Sequence, residues 1–151
     1  TVDQQRVDQF LKHIKDHIPL VNHMGLNKVT FEQGVVEFHI DLEPNLNDKG
    51  TGFGGSISAF CTLAGWALTT LILIEQDLER SAVVKTGTIA FMAPVTSDFV
   101  VRCYCPEEGG GDQLISRVQE KGRGRLPIVA EISQGDKIAV RYQGDYVAFE
   151  G

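Results

Sequence analysis

The sequence predicts an α+β fold in which a curved antiparallel sheet wraps around one long central helix. Residues 51–74 contain no charged side chain, so a helix over this segment is apolar on nearly every face and must be covered on most sides. The segments that follow it alternate apolar and polar residues or are rich in β-branched residues, which is typical of antiparallel strands. A strongly curved sheet is an arrangement that covers such a helix.

The first part of the chain predicts one helix and two strands. Val7, Phe10, Ile14 and their apolar neighbours recur at helical spacing over residues 3–17, and Pro19 ends that helix. Strands are predicted over Leu26–Phe31 and Val35–Leu42, separated by a turn.

The central helix is predicted to begin at or near Gly55 and to end within residues 75–78. Five strands are predicted after it: Val83–Met92, Asp98–Cys105, Leu114–Lys121, Ile128–Ser133 and Ile138–Phe149. No repeat or low-complexity linker interrupts the chain, which indicates one domain over residues 1–151. This order predicts the hotdog arrangement. A single sheet leaves an edge strand exposed, so we expect a homo-oligomer, a dimer or a tetramer, with its pocket between subunits.

Composition narrows the classes of partner. The net charge is −6 and the pI is about 5.1, which disfavours nucleic acid and anionic membranes. The three cysteines show no paired spacing, which favours free thiols and a cytoplasmic location. No His or Cys spacing is typical of a metal site, and we expect neither metal nor cofactor.

The uncharged segment is also long enough to span a membrane. It is rich in Gly, Ser and Thr, and no basic cluster flanks it. We therefore favour a buried helix within a soluble domain.

The loop before the central helix is the strongest candidate site. Residues 47–55 contain four glycines and an Asn-Asp pair, so the backbone there can turn sharply and approach a ligand closely. The first N–H groups of the helix have no partner within the helix and can hold an anion or a developing oxyanion. The alternative is a tight turn before a core helix.

The loop and helix resemble the hotdog-fold acyl-CoA thioesterases, whose motif is Asn, two residues, Gly-Thr, one residue and His-Gly-Gly, then an acidic residue seven positions later. Asn47, Gly50-Thr51 and Gly54-Gly55 match it in register. Ile89–Pro94 resembles a strand of these thioesterases that ends in a small residue and Pro. The chain is most similar to the thioesterase-like C-terminal domain of YiiD-type proteins, through Asn47–Ser56 and Leu63–Trp66.

Two positions depart from the motif of these thioesterases. Phe53 stands at the histidine position, and Thr62 stands at the acidic position. A carboxylate acts as nucleophile or general base in such sites. Thr62 has no such capacity unaided, but its hydroxyl can orient a water molecule by hydrogen bonding.

The resemblance implies roles for several residues. The N–H groups of Gly54 and Gly55 would polarise a thioester carbonyl. Asn47 would orient the attacking water or the loop itself, and Thr62 would orient the water or bond back to the Ser58 carbonyl. The residues predicted to contact the substrate are Phe53, Thr86, Thr88, Arg123 and Arg125.

The basic segment and three residues of the central helix each have a functional and a simpler structural interpretation. Arg123 and Arg125 lie in a basic segment, residues 120–125, which is predicted either to meet coenzyme A phosphates or to be a solvated hairpin tip. Cys61 lies in an apolar helix and is expected to be inert. Phe60 and Trp66 are expected to pack the helix against the sheet, with an acyl channel as the alternative.

The sequence thus predicts an acyl-thioester hydrolase acting by direct attack of water at the helix start. The alternative is a catalytically weak acyl- or coenzyme A-binding or dimerisation module that serves a GNAT-type acetyltransferase. A hotdog dehydratase or hydratase ranks last, since it needs a histidine and a carboxylate in the site.

Overall fold

A six-stranded antiparallel sheet curves around a 22-residue helix in this computed structural model, which describes residues 2–150. The elements in chain order are α1 (Gln4–His17), β1 (Leu26–Glu32), β2 (Val35–Ile40), α2 (Gly54–Glu75), β3 (Ser81–Phe91), β4 (Phe99–Tyr104), α3 (Gly110–Lys121), β5 (Arg123–Gln134) and β6 (Lys137–Phe149). The strands lie in the order β1-β2-β4-β5-β6-β3. This is the predicted hotdog arrangement, with α2 in the core.

The core lies between α2 and the concave face of the sheet. α2 is long and apolar enough to cross a membrane by composition alone, but most of its apolar stretch is buried inside the fold. Phe60 and Leu68 on the helix are fully buried, as are Phe38 and Val101 on the sheet. The sheet therefore covers the apolar faces of α2, as the uncharged sequence requires.

Most predicted elements are confirmed, with small shifts at their ends. α2 begins at Gly54, one residue earlier than expected, and ends at Glu75. The predicted helix over residues 3–17 is α1, which buries Val7, Phe10 and Ile14.

The strand predicted over Leu114–Lys121 is wrong. This segment is the main part of α3, which begins at Gly110. Leu114 and Val118 are buried four residues apart, on one helical face. Gly109 and Gly122 cap the helix in left-handed backbone conformations, with φ of 72° and 79°. The β-branched Ile115 and Val118 raised strand propensity, but burial of one helical face decided the structure.

The two edges of the sheet differ in how they are covered. On β1, the Gln4 side chain of α1 donates a hydrogen bond to the Val29 carbonyl at 2.9 Å. β3 is an 11-residue strand whose residues are mostly exposed, and within residues 2–150 it pairs only with β6. Val83 and Val84 are 45% and 44% exposed, an uncommon state for valines in a long strand.

Candidate functional site

Asn47 holds the glycine-rich loop together. Its side-chain oxygen accepts hydrogen bonds from the backbone N–H of Lys49 at 2.9 Å and of Thr51 at 3.0 Å. Its side-chain nitrogen donates to Thr51 Oγ1 at 2.9 Å and to the Gly52 carbonyl at 3.2 Å. Both ends of the amide are engaged inside the loop. Of the two roles predicted for Asn47, this geometry supports orientation of the loop.

The loop glycines have different physical roles. Gly50 adopts a left-handed φ of 76°, which disfavours other residues. Gly52 is needed for close packing, because a Cβ atom there would lie 2.8 Å from Ile57 Cδ1. The Gly52 N–H also donates to the Val95 carbonyl at 2.8 Å, which ties the loop to the segment after β3.

The start of α2 presents free backbone donors. Phe53 is the N-cap, and its side chain makes no capping bond. The first backbone bond of the helix runs from the Ile57 N–H to the Phe53 carbonyl at 3.0 Å, so the preceding N–H groups lack a partner within the helix. Gly54 and Gly55 supply the first two of these groups, and neither has a positive φ.

An apolar cleft of about 430 Å³ opens beside Gly54. Its lining residues are Gly52, Gly54, Ile57, Phe91, Met92, Ala93, Pro94, Val95 and Val140. None of these carries an ionisable side chain. Phe53, Phe91 and Met92 are more than half exposed around the same loop and strand end. Within residues 2–150, no three His, Cys, Asp or Glu side chains form a group able to hold a metal ion.

Thr62 lies two helical turns after the start of α2. Its Oγ1 donates to the Ser58 carbonyl at 2.9 Å, and the Ser58 hydroxyl donates to the Gly54 carbonyl at 2.7 Å. Thr62 is half-buried and does not line the cleft beside Gly54. Its distance from Gly54 along the helix is about 12 Å. Because the Thr62 hydroxyl proton is used in the bond to Ser58, the hydroxyl oxygen can contact a water only as a hydrogen-bond acceptor.

Of the candidate substrate contacts on the sheet, the arginines lie farthest from Gly54 within one protomer. Thr86 Oγ1 donates to Asp145 at 3.2 Å, and Thr88 is exposed two residues further along β3. Arg125 pairs in register with Val147, which pairs with Val83. Phe91, beside Gly54, is eight residues along β3 from Val83, or about 26 Å.

The expectation of a hairpin tip over residues 120–125 is wrong. Lys121 ends α3, Gly122 caps it, and Arg123 begins β5. The Arg125 guanidinium forms an ion pair with Asp145 on β6. The basic segment is therefore a helix-to-strand junction.

Three side chains of α2 have structural environments. Cys61 is fully buried, and burial raises the pKa of its thiol to about 12, which leaves it protonated and inert. Phe60 packs edge-on against Phe99, with ring centroids 6.4 Å apart. Trp66 stacks on Phe10 of α1 at 5.5 Å. The packing interpretation accounts for both aromatic residues.

Two features of the site were not singled out from the sequence. Phe91 and Met92 flank Gly54, and although Ile89–Pro94 was noted for its resemblance, neither residue was predicted to line the site. Two buried tyrosines, Tyr142 and Tyr146, contact each other and α2. No local pattern marks them, because their partner Thr62 lies 84 residues away from Tyr146 in sequence.

Comparison with known proteins places the chain among thioesterase-like domains. The YiiD_C family model, described as "Putative thioesterase (yiiD_Cterm)", matches residues 7–150. Protein OLEI01261 from Chlorobaculum tepidum TLS, of unknown function, is 26% identical with a TM-score of 0.89, over 99% of this chain and 98% of that one.

Two further solved structures share the fold at lower identity. A "putative thioesterase" from Shewanella oneidensis is 24% identical with a TM-score of 0.85, over 95% of this chain and 96% of that one. Thioesterase HI1161 from Haemophilus influenzae is 15% identical with a TM-score of 0.74, over 99% and 92% of the two chains. At these identities the likeness is one of fold.

Proposed function

We propose, from the premise that this chain belongs to the YiiD_C family of thioesterase-like domains, that it is a cytoplasmic hydrolase of acyl thioesters carried on coenzyme A or on an acyl carrier. The observation that carries the proposal is the start of α2. There, the N–H groups of Gly54 and Gly55 lack helical partners and lie beside an apolar cleft. Such donors stabilise the oxyanion of acyl transfer, and the cleft suits an acyl chain.

The reaction is a direct attack of water on the thioester carbonyl. The water oxygen bonds to the carbonyl carbon, and the carbonyl oxygen becomes an oxyanion held by the Gly54 and Gly55 N–H groups. Collapse of this intermediate breaks the C–S bond, and the leaving thiolate takes up the proton that the water releases. The products are a carboxylic acid and a free thiol. One backbone donor of this kind contributes about 3 kcal/mol to transition-state stabilisation.

Thr62 and Asn47 support this reaction in different ways. Because Thr62 lies about 12 Å from Gly54 along α2, the hydroxyl that meets the attacking water in the proposed dimer is that of the partner subunit's Thr62. The Thr62 hydroxyl donates its proton to Ser58, so its oxygen is available to accept a hydrogen bond from this water. Asn47 fixes the loop that leads into Gly54. Phe53 and Phe91 border the carbonyl site with apolar surface.

The functional unit is a homodimer formed through the free edge of β3. Eleven residues of this strand present an uncovered edge with exposed valines, and long edges of this type pair with other strands. A two-fold axis near the middle of the strand places the beginning of one β3 beside the end of the other. The cross-strand row of Val83, Val147 and Arg125 then approaches Phe91 of the partner subunit. The site is therefore formed by residues of both subunits.

This dimer also explains how basic residues far from Gly54 reach the substrate. Arg125 lies in the row of Val83 through β6, with Arg123 two residues earlier on β5. In the dimer these rows lie at the partner's end of β3, where phosphate groups of coenzyme A would emerge from the cleft. Arginine suits phosphate recognition because of its planar set of donors. Thr86 and Thr88 lie on β3 itself and therefore at the interface.

Light scattering at micromolar concentration is expected to show a dimer or larger oligomer. Val84→Lys places a charged side chain on the edge that the dimer would cover, so it is expected to shift the protein toward the monomer and to lower turnover. Ile138→Lys is the matched control, because Ile138 is similarly exposed and precedes the part of β6 that pairs with β3. A monodisperse wild-type monomer would contradict the shared site.

Thr62 variants test the orientation of water. Thr62→Val keeps the shape and removes the hydroxyl, so turnover is expected to fall ten- to hundredfold, as for loss of a hydrogen bond of about 1.5–3 kcal/mol. Thr62→Asp is expected to raise turnover by supplying a general base, at a cost in stability from a partly buried carboxylate. Thr69→Val is the control, since Thr69 makes the same back-bond to the Gly65 carbonyl at 2.8 Å deep in the core. Unchanged hydrolysis in Thr62→Val would exclude Thr62 from the reaction.

The second candidate function is an acyl- or coenzyme A-binding or dimerisation module partnered with a GNAT-type acetyltransferase. The observation that favours it is the absence of any ionisable side chain in the lining of the cleft beside Gly54. A panel of acyl-CoAs separates the two functions. Release of thiol that scales with protein concentration supports the hydrolase. Saturable binding without thiol release, in wild type and in Thr62→Asp, supports the binding module.

A further inference from the structure

Tyr142 and Tyr146, the hydroxyl pair, form a directed chain of hydrogen bonds that ends on α2 at the candidate site. Tyr146 Oη donates to the backbone carbonyl of Thr62 at 2.6 Å, and the two tyrosine hydroxyl oxygens are 3.1 Å apart. A phenol has one proton. Because Tyr146 uses its proton on Thr62, Tyr142 must be the donor between the two tyrosines. The chain therefore runs from Tyr142 through Tyr146 to Thr62.

Three glycines on three different elements make room for these rings. A Cβ atom at Gly65 of α2 would lie 2.3 Å from Tyr146 Cζ. A Cβ atom at Gly87 of β3 would lie 2.5 Å from Tyr142 Oη, and one at Gly144 of β6 would lie 2.8 Å from the same atom. Gly87 and Gly144 face each other in the β3–β6 ladder. The two tyrosine rings thus fill the space that these glycines leave between α2, β6 and β3, the strand at the free edge of the sheet.

Burial strengthens this chain and keeps the Tyr146 hydroxyl protonated. Tyr146 is fully buried and Tyr142 is 4% exposed. Burial raises the pKa of Tyr146 far above its usual range, so its hydroxyl keeps the proton that it donates. In a low-dielectric interior, successive hydrogen bonds polarise and strengthen one another.

Thr62 is consequently held from two directions. Its carbonyl accepts from Tyr146, and its own hydroxyl donates to the Ser58 carbonyl at 2.9 Å. The first bond anchors this turn of α2 to β6, and the second sets the rotation of the side chain.

We infer that Tyr146, supported by Tyr142, is a positioning residue that fixes the Thr62 hydroxyl for the hydrolytic reaction. This inference rests on the proposed function, because Thr62 acts there on the attacking water. Neither tyrosine contacts the reacting atoms. Their effect on the reaction passes through the Thr62 backbone, so it depends on the presence of the Thr62 hydroxyl. The effect of a purely structural role would not depend on that hydroxyl.

A double-mutant cycle on kcat tests whether the effect of Tyr146 depends on the Thr62 hydroxyl. Tyr146→Phe is expected to lower kcat about tenfold and to leave KM within about twofold, as for loss of one hydrogen bond that acts on positioning. Tyr142→Phe is expected to have a smaller effect, since Tyr146 keeps its bond to Thr62. In a Thr62→Val background, Tyr146→Phe is expected to change kcat less than about twofold, because the group being positioned is gone.

The third tyrosine of the chain is the matched control. Tyr104 on β4 donates to Glu131 Oε1 on β5 at 2.7 Å, so its hydroxyl bond does not reach α2. Tyr104→Phe is expected to leave kcat unchanged. Equal losses in Tyr104→Phe and Tyr146→Phe, or the same loss from Tyr146→Phe in both Thr62 backgrounds, would overturn the positioning role.

A spectroscopic measurement separates failure of this inference from failure of the proposed function. The carbonyl ¹³C resonance of Thr62 is expected to move upfield in Tyr146→Phe and not in Tyr104→Phe, since the phenolic donor is lost. An unmoved resonance overturns the positioning role even if the protein hydrolyses thioesters. A shifted resonance in a protein that releases no thiol overturns the proposed function, and with it the kinetic role of the hydroxyl pair, while the contact itself stands.

Discussion

Gly65→Ala is expected to be among the most destabilising single substitutions in the chain. The added methyl would lie 2.3–2.4 Å from three atoms of Tyr146, whose side chain is fully buried and cannot move aside. Overpacking of this kind lowers the free energy of unfolding by about 3 kcal/mol or more, and the higher helix propensity of alanine raises it by about 1 kcal/mol. A net loss of about 2–3 kcal/mol lowers the Tm by roughly 5–10 °C for a chain of this size.

Gly111→Ala on α3 provides the matched control. A Cβ atom there would lie 3.6 Å from Ile72 Cδ1, an ordinary contact, so the gain in helix propensity is expected to leave the protein as stable as wild type or slightly more stable. Thermal unfolding followed by circular dichroism compares the two variants. A Gly65→Ala protein that melts with wild type would show that α2 does not approach β6 this closely.

Gly54→Val is expected to remove turnover while the protein stays folded. Gly54 has no positive φ, and a Cβ atom there would meet the Phe91 ring at 3.4–3.5 Å, which is ordinary contact. The branched side chain would nonetheless fill the cleft where the carbonyl must reach the N–H groups. The expected loss is about a hundredfold or more, as for removal of one oxyanion donor.

Gly54→Ala serves as the graded control for this substitution. Its single methyl fits against Phe91, and it is expected to lose less activity than the valine. Thiol release from acyl-CoA and the thermal midpoint are measured on both variants. A folded Gly54→Val protein with full turnover would remove the helix start from the mechanism.

The parts of the fold that could be predicted from the sequence are those determined by one dominant physical factor. An uncharged segment of 24 residues leaves a buried helix as its simplest structure, and the alternating strands around it have few other ways to cover it. The helix start was located to within one residue because glycines and Asn47 mark the loop. The positions of Phe53 and Thr62 were read from the resemblance.

Other parts depend on contacts that no local pattern contains. The segment from Leu114 has both a strand-like composition and a helical burial face, and its packing on β5 decided between them. The engagement of Asn47 within its own loop required the positions of four backbone and side-chain partners. Tyr146 reaches Thr62 across 84 residues of sequence, and the glycines that admit it lie on three elements.

The binding of a thioester carbonyl at Gly54 and Gly55 is tested most directly by titration with a ketone analogue of an acyl-CoA. This analogue has a methylene in place of the thioester sulfur, so it keeps the carbonyl and resists hydrolysis. The amide ¹H–¹⁵N signals of Gly54 and Gly55 are expected to shift saturably. The signal of Gly111, in the first turn of α3, is expected to stay in place, because Gly111 does not line the cleft beside Gly54. Saturable shifts elsewhere, with Gly54 and Gly55 unmoved, would contradict the account.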